Sequence, residues 1–222
     1  MYIPPAFRLD DRAAALETMR DNPFALLVVA TARGELEITH LPVLLDVDEG
    51  GDGEALALRG HVSKANPAAG LIAGATDAAA AGEPARATVV FSGPNAYVSP
   101  DWYQAENQVP TWNYVAVHAS GPLQPIAEPA EVERLLADLS AVHEAALAPK
   151  KPWTLGKMAP GLLERMMKGI VAFRLPVDRL EAKAKLSQNK GEADRGGVVA
   201  ALEALGGPDT VATAGWMRRV AG

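Results

Sequence analysis

The amino-acid sequence predicts a mainly β protein with some helix, an antiparallel barrel with helices at its periphery. Three observations point there. Apolar, β-branched runs recur at hairpin spacing, over residues 24–31, 36–45 and 55–61. Few helical patterns separate them, which argues against a doubly wound parallel sheet. The 222 residues are 49% hydrophobic and 22% charged, enough apolar material for a sizeable core and not the composition of a disordered or fibrous chain.

In chain order, residues 10–22 open with carboxylates suited to an N-cap, space Leu16 and Met19 three apart and stop before Pro23, so they predict a short amphipathic helix. Strands 24–31 and 36–45 meet at an Arg33-Gly34 turn. Residues 46–54 are acidic and glycine-rich. Their aspartate spacing is faintly like a calcium loop, but the ligand series and flanking helices are missing, so a solvated hairpin loop is expected. A third strand over 55–61 leads to Asn66-Pro67, an N-cap and a first-turn proline that start a short helix through Ile72.

Residues 74–85 are alanine-rich and read as an exposed connection. Short strands at 88–91 and 96–98 flank a Gly93-Pro94-Asn95 turn, and 109–120 form a longer strand. Residues 131–146 are the clearest helix, with Val132, Leu135, Leu136, Leu139 and Val142 on one stripe. A further short helix holds Leu162, Leu163, Met166 and Met167 and closes at Gly169. Strands follow at 170–175 and 180–186, and a helical tail begins at about 191. No repeat or linker interrupts the chain, so one domain over 1–222 is expected.

Net charge bears on partners. With 21 Lys and Arg against 27 Asp and Glu the chain carries −6, whereas nucleic-acid binding normally leaves a basic footprint. Cysteine is absent, which excludes disulfides, thiolate metal sites and dithiol redox chemistry. The longest apolar run, 24–30, is too short to cross a bilayer, and residues 1–5 lack a signal-peptide pattern, so a cytoplasmic protein with no membrane partner is expected.

No catalytic constellation stands out. There is no nucleophile elbow, Walker loop or zinc-protease helix, and His40, His61, His118 and His143 are not at ligand spacing, so no metal site and no catalytic residue is assigned. Three segments nevertheless differ from their surroundings. Thr39, His40, Leu41 and Pro42 put a proline and a histidine into an apolar strand, which marks an edge or bulge whose freed backbone groups can pack or face a ligand. His61, Ser63, Lys64 and Asn66 end a strand at a helix start, a chemistry equally suited to a capped turn and to a phosphate seat. Residues 91–114 hold six of the chain's twelve aromatics, more concentrated than core filling requires, as in a pocket wall, a subunit interface or a core cluster.

Together with the opening Met1-Tyr2-Ile3-Pro4-Pro5, the Ala96-to-Pro100 stretch, Val109 to Tyr114 and Lys185-Leu186-Ser187-Gln188-Asn189-Lys190, these segments form an ordered pattern. The chain resembles the PaiB-like family of FMN-binding negative transcriptional regulators. That resemblance implies a split antiparallel β-barrel of the FMN-binding type, working as a homodimer with flavin at the interface. It implies a flavin ring along Thr39, His40, Leu41 and Pro42, with His61 beside them. The phosphate would be taken by Ser63, Lys64 and Asn66. Trp112, Asn113, Tyr114, Lys185, Ser187, Gln188 and Asn189 would close the site from the partner chain. DNA as a partner follows from the resemblance alone and is not supported by the net charge.

Two departures from the relatives stand out. Arginine commonly occupies the place of Lys64, so a point charge replaces a bidentate fork. Residues 104–108 also lack the lysine expected after Trp102-Tyr103. The same barrel hosts flavin-dependent oxidoreductases, NAD(P)H:flavin or pyridoxamine-phosphate-oxidase-like, which is the alternative function.

Overall fold

The computed structural model describes residues 1–31, 33–48, 55–80 and 85–220. The greater part of the acidic 46–54 loop, and residues 81–84 of the alanine-rich stretch, lie outside them.

Among the described residues nine strands form two sheets: β1 (Phe24–Ala30), β2 (Leu36–Pro42), β3 (Leu44–Asp48), β4 (Ala55–Ser63), β5 (Arg86–Val98), β6 (Thr111–Pro122), β7 (Gln124–Ile126), β8 (Ile170–Pro176) and β9 (Arg179–Lys185). The larger sheet runs β2-β1-β5-β6-β9 and the smaller β3-β4-β8-β7. β2 pairs antiparallel with β1, from Phe24 opposite Pro42 to Ala30 opposite Leu36. β4 pairs antiparallel with β8, His61 lying opposite Ala172. The helices are α1 (Arg12–Asp21), α2 (Ala68–Ala73), α3 (Ala75–Ala80), α4 (Pro129–Ala145), α5 (Leu162–Met167), α6 (Glu192–Leu205) and α7 (Pro208–Arg219). Among the described residues none is long and apolar enough to cross a membrane. The mainly antiparallel architecture with flanking helices is the one the strand spacing predicts.

The chain divides into two compact units, each discontinuous in sequence. One comprises Met1–Asn22, Phe91–His118 and Glu181–Gly222. Its core joins Val98, Val115, Leu186, Val198, Leu202 and Met217, all at most 1% exposed, so α6 and α7 are core-forming helices. Asp11 caps α1 by accepting the Ala14 N–H at 3.1 Å. The buried Asp194 near the start of α6 accepts the N–H groups of Gln104 and Ala105 at 2.7 and 3.0 Å, which ties that loop to the helix.

The other unit comprises Pro23–Val90 and Ala119–Leu180. Leu27, Val29, Leu58, Val89, Phe173 and Leu175 are fully buried there. α4 lays Val132, Leu135 and Leu139 against Leu44 and Ala172, each such burial contributing about 1.5–3 kcal/mol. Arg59 on β4 bonds Asp46 on β3 at 2.5 Å and Asp138 on α4 at 3.0 Å, which holds the helix on the sheet.

The structure corrects several expectations. The strand expected at 36–45 breaks at Val43, and β2 and β3 become edges of different sheets. Pro42, which has no N–H to give a ladder, ends the first of them. Gly93-Pro94-Asn95 is not a turn but the middle of the 13-residue β5. Gly93 serves there as a close-approach residue, since a Cβ would stand 3.0 Å from the Val115 carbonyl oxygen. The alanine-rich connection contains α3, β7 was not anticipated, and Val142 is 53% exposed and leaves the buried stripe.

Candidate functional site

One groove gathers the expected residues of the second unit except Lys64. Thr39, His40, Leu41 and Pro42 of β2, His61 and Ser63 of β4, and Asn66 line a space of about 580 Å³, within the usual ~300–1,000 Å³ of small-molecule sites. β2 is the last strand of its sheet, so one side of its backbone has no neighbouring strand. Gly60 of β4 allows close core packing beside the groove: a Cβ there would stand 3.0 Å from the Phe173 ring and 3.1 Å from Leu41.

Asn66 joins the two halves of this groove. Its Nδ2 donates to Thr39 Oγ1 at 3.0 Å, and its Oδ1 accepts the Ala68 N–H at 2.9 Å at the start of α2. Both ends of the amide are thereby engaged, and Asn66 positions Thr39. Ser63 is exposed, its Oγ accepting the Ala65 N–H at 3.2 Å. Lys64 donates its backbone N–H to Gly169 at 2.9 Å, but its side chain lines a separate cavity with Glu164 and Lys168. The cation in the groove is Arg165, carried by α5, with Met166, Gly169 and Ile170 beside it. Only the apolar spacing of that helix was legible in the sequence, and no local motif marks Arg165.

Two histidines differ in setting. His40 is exposed and stacks on Phe24, ring centroids 5.9 Å apart with 25° between planes. His61 is half-buried, and burial lowers its pKa below the ordinary 6.5. Its buried Nδ1 has no hydrogen-bond partner and so keeps unused bonding capacity.

The remaining expected residues form a second cluster, in the first unit. Asn113 is fully buried, and its side chain exchanges two 3.1 Å hydrogen bonds with Ser187. Gln188 accepts the Leu186 N–H and donates to the Ala184 carbonyl, fixing the chain as it leaves β9. Lys185 donates to Thr111 Oγ1 and to the Trp112 carbonyl, the latter at 2.7 Å. Burial and the charges of Lys183 and Lys190 push its ammonium below the ordinary lysine value. Lys183 lies 5.2 Å from the Tyr114 ring centroid and Lys190 5.2 Å from that of Tyr103. Trp112 is 54% exposed and meets Tyr97 edge-on at 6.0 Å. Asn113, Ser187 and Gln188 are thus internally bonded, whereas Trp112 presents an open face. Asn189 stands between this network and α6.

The two antiparallel sheets with flanking helices form a split β-barrel. Residues 1–179 match the family described as "Putative FMN-binding domain", and the chain belongs to that family, whose cofactor is FMN. It is 33% identical over 204 residues to the protease synthase and sporulation protein PAI 2 of Bacillus subtilis, spanning 91% of this chain and 89% of that protein. PAI 2 is PaiB, in agreement with the resemblance read from the motifs. An uncharacterised protein of Emericella nidulans is 31% identical, spanning 86% and 85%. Among solved structures, an FAD- and heme-binding protein from Mycobacterium smegmatis superposes with a TM-score of 0.52 at 17% identity, over 87% of this chain and 79% of that one. The flavocytochrome Anf3 from Azotobacter vinelandii gives 0.52 at 12%, over 84% and 73%. These two likenesses establish the fold.

Proposed function

We propose that this chain holds FMN in the groove beside β2 as one half of a homodimer, with the ring against residues 39–42 and the phosphate on Ser63 and Arg165. The observation that carries the reading is the meeting, along one groove, of an open strand edge, an apolar wall, a serine and an arginine. This donor set fits the cofactor. Leu41, Pro42, Met166 and Ile170 offer apolar surface to a flat ring and exclude water from it, and the unpaired side of β2 offers backbone groups to the ring's polar edge. Arg165 supplies the bidentate fork that the sequence lacks at position 64. Asn66 acts one step removed, holding Thr39 in place.

FMN, when bound, supplies hydride and single-electron chemistry; the chain's residues bind and orient it. Trp112, Asn113, Tyr114, Lys185, Ser187, Gln188 and Asn189 of a second protomer would close the site. Self-association is supported by the apolar side chains on the β1–β2 edge: Phe24 is 67%, Leu36 59% and Ile38 56% exposed.

A regulatory output of the PaiB type would rest on the resemblance alone, and several of the clustered basic residues that direct DNA contact would use are already paired. Arg218 is paired with Glu203, Arg219 with Glu17 and Asp11, and Lys150 with Glu144. Lys183, Lys185 and Lys190 instead contact neutral oxygens and rings. The second reading, a flavin-dependent oxidoreductase, is favoured by one observation: His61 and Pro42 line an apolar cavity as well as the flavin groove, room that a cofactor without a reaction partner would not need.

The test is flavin retention. A Ser63→Ala/Arg165→Ala double variant should keep its fold and purify with less than a tenth of the wild-type FMN, because charge-assisted hydrogen bonds contribute about 1.5–3 kcal/mol each. Unchanged FMN content would refute the phosphate seat.

A further inference from the structure

Beside the groove lies a cavity of about 390 Å³ that the flavin reading leaves unused. Its walls are Leu136 and Leu139 of α4, Trp153, Leu155 and Met158 of the following loop, and Met166 of α5. We propose that this cavity binds an uncharged, ring-bearing small molecule whose single polar group, a hydroxyl, carbonyl or N–H, lies at the His61 end.

Volume and charge together select that class. A cavity of this size takes a molecule of one to three rings, and a dinucleotide would overfill it. No lysine or arginine lines it. Its one carboxylate, Glu144, is engaged by the Lys150 ammonium and by the Trp153 N–H at 2.8 Å, so it anchors the wall. The Ser140 hydroxyl is likewise committed, donating to the Leu136 carbonyl at 2.8 Å. That leaves the two histidines, His143 on the helix and His61 where cavity and groove share a wall. Of these, His61 has a buried ring nitrogen with no partner, and burial disfavours its charged form. The thioethers of Met158 and Met166 let the pocket adapt to different rings.

The occupant would touch the same imidazole as the flavin, so the inference names a reaction-partner class for the proposed cofactor. It rests on the flavin reading for that role but not for the binding itself. N-phenyl-1-naphthylamine, uncharged and bearing one N–H, is the probe. Titrated into the purified protein, it should show a saturable fluorescence rise at one site per chain. Leu136→Trp, which fills the cavity without touching the groove, should weaken binding at least tenfold while leaving FMN content unchanged. The anionic 8-anilinonaphthalene-1-sulfonate should bind at least tenfold more weakly than the neutral probe. Equal binding of the neutral probe by a folded, FMN-loaded Leu136→Trp protein would overturn the inference, as would equal affinity for the anion. If that variant does not fold, Met158→Trp reads the same outcomes. Saturable, variant-sensitive probe binding in a protein that holds no FMN would uphold the cavity and refute the flavin reading.

Discussion

Among individual residues, His61 is one whose charge state depends on its surroundings. Burial disfavours its charged form, so its folded pKa lies below the unfolded value near 6.5. Between those two values the unfolded chain binds more protons than the folded one, and stability therefore rises with pH across that window. As pH falls from about 7 toward the lowered folded pKa, the wild-type protein should lose stability, and His61→Asn should flatten that part of the profile. Urea midpoints at pH 7.5 and 5.5 measure this, and an equal drop in both proteins would assign the effect elsewhere. At this scale the candidate site was only partly legible. The Thr39-to-Pro42 stretch stood out because proline and histidine are misplaced in an apolar strand. Lys64 was legible as a cation at a strand end, but its side chain turns into another cavity while Arg165 takes the groove. That exchange depends on where α5 packs, which no local pattern encodes.

Among elements, β2 defines the site, because an edge strand ending in proline leaves one side of its backbone available to a ligand. Strand spacing and alternation made most of the sheet legible. Failures came where a turn residue served packing instead. Gly93-Pro94-Asn95 has turn composition, yet it runs straight through β5, because the missing Cβ at Gly93 allows the approach of Val115 and Thr18. Gly121 in β6 is the sharper case, since a Cβ there would stand 1.8 Å from the Pro176 carbonyl oxygen, a backbone atom with no way to yield cheaply. Gly121→Ala should destabilise the protein by about 3 kcal/mol or more. The check is a lowered urea midpoint at unchanged slope; a midpoint within error of wild type would show that β6 and β8 separate more easily than their packing implies.

For the whole molecule, composition set limits that the structure narrows. A cysteine-free chain of net charge −6 assigns any redox chemistry to a bound group and carries no overall basic footprint for nucleic acid. Carboxylates pair Lys150, Arg218 and Arg219, whereas Lys183, Lys185 and Lys190 contact neutral oxygens and rings. The central claim is that the groove beside β2 seats FMN through its phosphate. Equilibrium titration of the flavin-free protein with FMN and with riboflavin, which differ only in that phosphate, tests it most directly. FMN should bind at least tenfold more tightly, each 1.4 kcal/mol from the Ser63 and Arg165 contacts being worth a factor of ten. Equal affinities for the two flavins, or no binding of FMN, would contradict it.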